Sequence, residues 1–102
     1  MFHLAGSKAV NESFAKPYKY YLNNSFRTMQ LLRAMNESNV NKIIFSSSAT
    51  VYGVRNKNGI KETSNLETIN PYGTSKLISE KLIIDQSKIF KKFNYIILRY
   101  FN

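Results

Sequence analysis

The chain contains no cysteine. That excludes a disulfide scaffold, a thiol nucleophile and a cysteine zinc site, and it removes any argument for an oxidising compartment. Acidic residues are scarce: 6 Asp and Glu stand against 15 Lys and Arg, a formal net charge of +9. The imbalance keeps nucleic acid, phosphates and nucleotides open as partners without choosing among them. No stretch approaches 18 consecutive apolar residues, which argues against a membrane-spanning helix. The opening Met1-Phe2-His3-Leu4-Ala5-Gly6 lacks the basic start and long apolar run of a signal peptide, so a cytoplasmic address is the default expectation. A length of 102 residues is too short for two catalytic domains. Apolar material is plentiful, at 43% hydrophobic and 14% aromatic residues. A chain of this size can bury roughly two-thirds of its unfolded surface.

The apolar pattern alternates between two periods. Met1 to Leu4 reads as a strand running into a tight loop at Ala5-Gly6. Pro17 suits a first helical position, and Leu22, Phe26, Met29, Leu32 and Met35 recur at spacings of three and four, predicting an amphipathic helix over Tyr18 to Ser38. After the turn-prone Asn36 to Asn41, Lys42 to Phe45 reads as a short buried strand ending in three serines. Residues 54–70 are polar and read as a surface loop, with Asn58-Gly59 suited to a type I′ turn. Pro71 opens a second helix with a broad apolar face of Leu77, Ile78, Leu82, Ile83, Ile84, Ile89 and Phe90, ending near Lys91-Lys92. Asn94 to Tyr100 is a near-continuous apolar run, the pattern of a strand covered on both faces. Strand, helix, strand, helix, strand predicts a parallel sheet and an α/β layered architecture.

In such sheets ligands bind beyond the carboxyl ends of the strands. The three ends lead into Ala5-Gly6-Ser7-Lys8, into Ser46 to Gly53, and into Tyr100-Phe101-Asn102, all expected along one rim. Beside them the second helix begins Pro71-Tyr72-Gly73-Thr74-Ser75-Lys76, with Tyr72 and Lys76 four apart on one helical face. A phenol has a reference pKa near 10, so it works as a base at neutral pH only where positive charge stabilises the phenolate. Lowering that pKa to about 7 corresponds to about 4 kcal/mol, more than one exposed ammonium supplies. An oxidised nicotinamide ring would be a second cation, and the Ser48 hydroxyl would hold a substrate hydroxyl in line, which is a pattern for hydride transfer.

Plainer readings stand beside this one. Tyr and Lys four apart occur on many helices, with the lysine lying over the ring. A serine run also serves as a strand end whose hydroxyls satisfy backbone groups. His3 has no second His, Cys or acidic residue nearby, so it reads as a packed or exposed histidine and no metal is assigned. Lys16, Lys19, Arg27 and Arg33 interleave with Tyr18, Tyr20 and Tyr21, but cations spread from Lys8 to Arg99 without a run of five. A solvated helix face explains them more simply than nucleic-acid binding.

Five segments together resemble the UDP-glucose 4-epimerase family, within the extended short-chain dehydrogenase/reductases. They are His3 to Ser13 (HLAGSKAVNES), Tyr20 to Asn24 (YYLNN), Phe45 to Gly53 (FSSSATVYG), Pro71 to Lys76 (PYGTSK) and Leu98 to Asn102 (LRYFN). The Tyr-x-x-x-Lys motif marks the whole superfamily, whereas SSSATVYG and LRYFN are closer to the epimerase branch. The resemblance implies a β-α-β-α-β piece of a Rossmann-type, doubly wound parallel sheet, with residues 1–102 forming the central and C-terminal part of an NAD-binding domain. It implies NAD as cofactor and UDP-glucose and UDP-galactose as interconverted substrates. Tyr72 would be the base at the sugar 4-hydroxyl, Lys76 would assist it and hold the nicotinamide ribose, and Ser48 would orient the hydroxyl. Ala5, Gly6, Lys8, Asn23 and Phe101 would lie along the cofactor, and Asn102 would face the substrate.

The same resemblance sets an expectation of missing parts. The G-x-x-G-x-x-G turn and the acidic ribose ligand of such proteins would lie upstream of Met1, and the uridine-nucleotide domain beyond Asn102. The isolated chain is therefore expected to lack turnover, and a complementing chain that carries those parts is an open partner. Two alternatives remain: a non-catalytic basic remnant or interaction module, and a piece of another nucleotide-sugar epimerase, such as one acting on N-acetylated sugars.

Overall fold

In the computed structural model, which describes residues 1–53 and 59–101, three strands form one parallel sheet in the order β1-β2-β3. They are β1 (Phe2–His3), β2 (Lys42–Ser48) and β3 (Asn94–Tyr100). Parallel neighbours need crossovers. The first crossover carries α1 (Val10–Ala15), α2 (Pro17–Tyr20), a π-helical stretch (Tyr21–Phe26) and α3 (Arg27–Glu37); the second carries α4 (Pro71–Ile89). Asn58 and Asn102 lie outside the described residues, so the type I′ turn and the substrate-facing role expected there are not described.

Register decides which side chains face the helices. Phe2 pairs with Ile44, His3 with Phe45, and Lys42 to Ser48 with Asn94 to Tyr100. Side chains alternate along each strand. Ile43, Phe45 and Ile97 therefore share a face, and with Leu32, Met35, Ile83 and Phe93 they build the core under α3 and α4. β2 extends three residues past the apolar run, because Ser46 to Ser48 pair in register with Leu98 to Tyr100.

The opposite face corrects an expectation. β3 reads as a doubly covered strand, yet Phe2, Ile96, Leu98 and Tyr100 on that side are exposed by 39% or more. The helices that pack on the sheet contribute to the core on its other face, so the described residues build two layers rather than three.

The helices hold a second correction. Leu22, Phe26 and Met29 were the expected inward stripe of the first long helix, and each is at least 45% exposed. Tyr20, Asn24, Thr28, Leu32 and Met35 are buried instead. The two stripes share only their C-terminal half. Polar Asn24 and Thr28 point inward because the interior satisfies them, and the local π-helical winding over Tyr21–Phe26 accommodates them. In α4, Asn70 caps the helix by accepting from the Gly73 N–H at 2.7 Å, and Pro71 takes the first turn. Of its expected apolar face only Ile83 is fully buried, while Tyr72, Ser75, Lys76, Ser79 and Glu80 are all buried.

Candidate functional site

The carboxyl ends of the three strands share one rim, as parallel pairing requires. Ser48 ends β2 and begins a 3₁₀ turn (Ala49–Tyr52); its Oγ accepts from the Thr50 N–H at 3.1 Å and the Thr50 hydroxyl at 2.9 Å. The first turn of α4 runs against this 3₁₀ turn. A Cβ at Gly73 would stand 3.0 Å from Thr50 O, so glycine permits the approach that brings Tyr72 beside the Ser48 end of the strand. Tyr72 is buried, and Tyr20 meets its ring edge-on.

Lys76 lies one turn further along the same face of α4 and is also buried. Its Nζ donates to Ser46 O at 3.1 Å and stands 5.2 Å from the centre of the Phe45 ring. Among the described residues no carboxylate pairs with it. Burial pushes its pKa below the ordinary lysine value. One of its three N–H donors is spent on Ser46, so the group suits a ligand that offers hydroxyl acceptors.

Asn24 ties the first strand's loop to this helix. Its Oδ1 accepts from the Ser7 N–H at 2.8 Å, and its Nδ2 donates to Ser7 O and to the Ser75 hydroxyl, both at 2.9 Å. Gly6 makes the junction possible: at φ 153° a Cβ there would come within 2.5 Å of Asn24 Oδ1 and 3.4 Å of Lys76 Nζ. His3, behind this loop, is buried with Nε2 at 2.8 Å from the Thr28 hydroxyl. That hydroxyl donates to Asn24 O at 2.6 Å, so the hydrogen of the first bond comes from His3 Nε2. Burial, and then the charge on Lys76, lower the His3 pKa.

The structure thus gathers Ser48, Tyr72 and Lys76 at one end of the sheet, with Gly6 against Lys76. Asn23 is half-buried and donates from Nδ2 to the Ser7 hydroxyl at 3.0 Å. Ala5 and Lys8 are exposed in the loop after β1, and Phe101 is exposed after β3. Sequence reasoning missed Tyr20, Asn24, Glu80 and Arg99. A usable signal existed for Glu80, which continues the four-residue spacing of Tyr72 and Lys76.

The profile of the NAD dependent epimerase/dehydratase family matches residues 1–102, the whole chain. The chain belongs to that family. Among individual proteins it is similar to the UDP-glucose 4-epimerase of Bacillus subtilis, with 47% identity over all of this chain and 30% of the relative. Among solved structures, the UDP-Glc/GlcNAc 4-epimerase from Campylobacter jejuni superposes with a TM-score of 0.96 at 46% identity, covering 99% of this chain and 31% of that one. The UDP-glucose 4-epimerase from Bifidobacterium longum, solved with NAD+ and UDP, superposes with a TM-score of 0.94 at 50% identity over 99% of this chain and 30% of that one. The chain therefore spans about 30% of the length of these relatives.

Proposed function

We propose that this chain forms the catalytic rim of a UDP-glucose 4-epimerase. The observation that carries the reading is the buried Tyr72 and Lys76 on one face of α4, packed against the strand end that terminates in Ser48. The Tyr72 phenolate takes the proton of the sugar 4-hydroxyl, and the Ser48 hydroxyl holds that oxygen in line. Lys76 favours the phenolate and binds the nicotinamide ribose through the N–H donors not used by Ser46. The chemistry supplied by bound NAD is acceptance of the C4 hydride and its return to the other face of the 4-keto sugar, which inverts C4. Tyr72 gives its proton back as the hydride returns. Ala5, Gly6, Lys8, Asn23 and Phe101 line the cofactor.

The residues fit the nicotinamide end of NAD, since Gly6 leaves no side chain between the loop and Lys76. They do not fit the pyrophosphate end. The four glycines are Gly6, Gly53, Gly59 and Gly73, and no G-x-x-G-x-x-G exists among them. The isolated chain is accordingly expected to show no turnover. A reading that includes N-acetylated sugars is favoured by one specific likeness, the 46% identity to an enzyme named for both UDP-Glc and UDP-GlcNAc.

The test is a chimera in which these 102 residues replace the matched stretch of the Bacillus subtilis relative. Interconversion of UDP-glucose and UDP-galactose supports the reading. A chimera that folds and binds NAD yet converts neither sugar contradicts it.

A further inference from the structure

Glu80 is a buried carboxylate that the proposed chemistry does not use. It is 1% exposed, on the same face of α4 as Tyr72 and Lys76 and one turn beyond them. Arg99 of β3 meets it with a fork: Nη2 lies 2.6 Å from Oε1, and Nε lies 3.1 Å from Oε2. The Ser47 hydroxyl donates to the same carboxylate at 2.5 Å. The other arm of Arg99 donates from Nη1 to the Tyr52 hydroxyl at 2.8 Å and to Glu62 O at 3.3 Å. One ion pair therefore fastens α4, the end of β2, the 3₁₀ turn, the 59–62 segment and β3.

Its place matters because apolar packing constrains α4 weakly in rotation. Leu77, Ile78, Leu82 and Ile84 are only half-buried and spread around the helix, so several rotations would bury similar apolar area. A buried, directional carboxylate–guanidinium fork admits one. Ser47 precedes Ser48, so the same bonds also hold the strand residue that the helix must meet. We propose that Glu80 and Arg99 are positioning residues, which set the rotation of α4 and its register on β2 and so align Tyr72 and Lys76 with Ser48. The inference rests on the proposed roles of those three residues for its functional meaning, but its geometric content stands apart from them.

The test follows the side-chain titration of Lys76 by NMR in the 102-residue chain, assigned with Lys76→Met, in the parent and in Glu80→Gln. The Lys76 ammonium meets the Ser46 carbonyl and the Phe45 ring of β2 and acts by charge on His3 of β1, and along α4 Tyr72 and Glu80 each lie four residues from it. Loss of the Glu80 charge alone would move a nearby lysine's titration downward. Rotation of α4 would instead free Lys76 from its buried seat and move it upward. The expected result is a rise of about half a pH unit or more toward the ordinary lysine value of about 10.4, with the amide signals of Leu32 and Met35 in place. Should Glu80→Gln not fold, Arg99→Lys carries the same test, with a smaller rise. An unchanged or lowered midpoint in a folded variant overturns the proposal. So does failure of both variants to fold, which would make the pair a general stabiliser. No turnover or cofactor binding is read, so failure of the epimerase reading is seen separately in the chimera.

Discussion

The ring of Tyr20 stands edge-on to the ring of Tyr72, with centroids 6.2 Å apart and planes at 89°. Tyr20 is fully buried, donates its hydroxyl hydrogen to Glu12 at 2.9 Å and accepts from the Ala9 N–H at 3.2 Å. It thus supports Tyr72 from behind while pinning α1. Tyr20→Ala is expected to destabilise the fold by about 3–5 kcal/mol, as buried aromatic truncations do. Tyr20→Phe, which keeps the ring and loses the hydroxyl, is expected to lose only about 1–2 kcal/mol. Denaturant unfolding of both variants checks the ordering, and equal losses would contradict it.

His3 makes stability depend on pH. Burial and the Lys76 charge hold its folded pKa below the ordinary value of about 6.5, so the unfolded chain takes up a proton first as pH falls. The contribution is fully present above that value and declines as pH drops from about 6.5 to the folded pKa. Unfolding free energies measured from pH 8 to pH 5 should fall on the acid side. His3→Gln should flatten that part of the curve, and an unaltered slope would rule His3 out as its source.

Lys76 is a buried cation without a carboxylate partner among the described residues, a poor arrangement for stability. Lys76→Met is expected to raise stability at neutral pH by about 1 kcal/mol. In the chimera the same change should abolish sugar conversion. A Lys76→Met chain less stable than the parent would show that the ammonium stabilises the fold.

The open side of the sheet has a physical consequence for the isolated chain. Parallel sheets are ordinarily covered on both faces, and here Phe2, Ile96, Leu98 and Tyr100 meet solvent. Concentration-dependent self-association is expected in sedimentation velocity. The pair Ile96→Lys and Leu98→Lys should suppress it with little change in unfolding free energy. Association that persists in the double variant would locate the contact elsewhere.

The order of strands and helices was readable from the sequence, because the runs at Lys42 to Phe45 and Asn94 to Tyr100 and the capped start at Asn70-Pro71 each carry strong local signals. That Ser48, Tyr72 and Lys76 come to one end of the sheet was readable from their motifs and the strand order. The inward stripe of Tyr20, Asn24 and Thr28 was not, since buried polar residues look like surface residues until their partners are known, and those partners are Ser7, Ser75 and His3. The Glu80–Arg99 pair joins residues 19 apart on different elements, a contact no local pattern reports. The uncovered sheet face was missed for a related reason. An apolar strand records that it suits a cover, and the sequence of the strand does not say where the cover comes from.

The central claim concerns the chemistry of Tyr72. Its most direct measurement is the rate of UDP-galactose conversion by the Bacillus subtilis chimera and by its Tyr72→Phe variant, both shown to fold and bind NAD. Loss of the phenol hydroxyl is predicted to lower kcat by about 10²–10⁴-fold, the usual contribution of a positioned general base. A Tyr72→Phe chimera that converts UDP-galactose as fast as its parent would contradict the assignment.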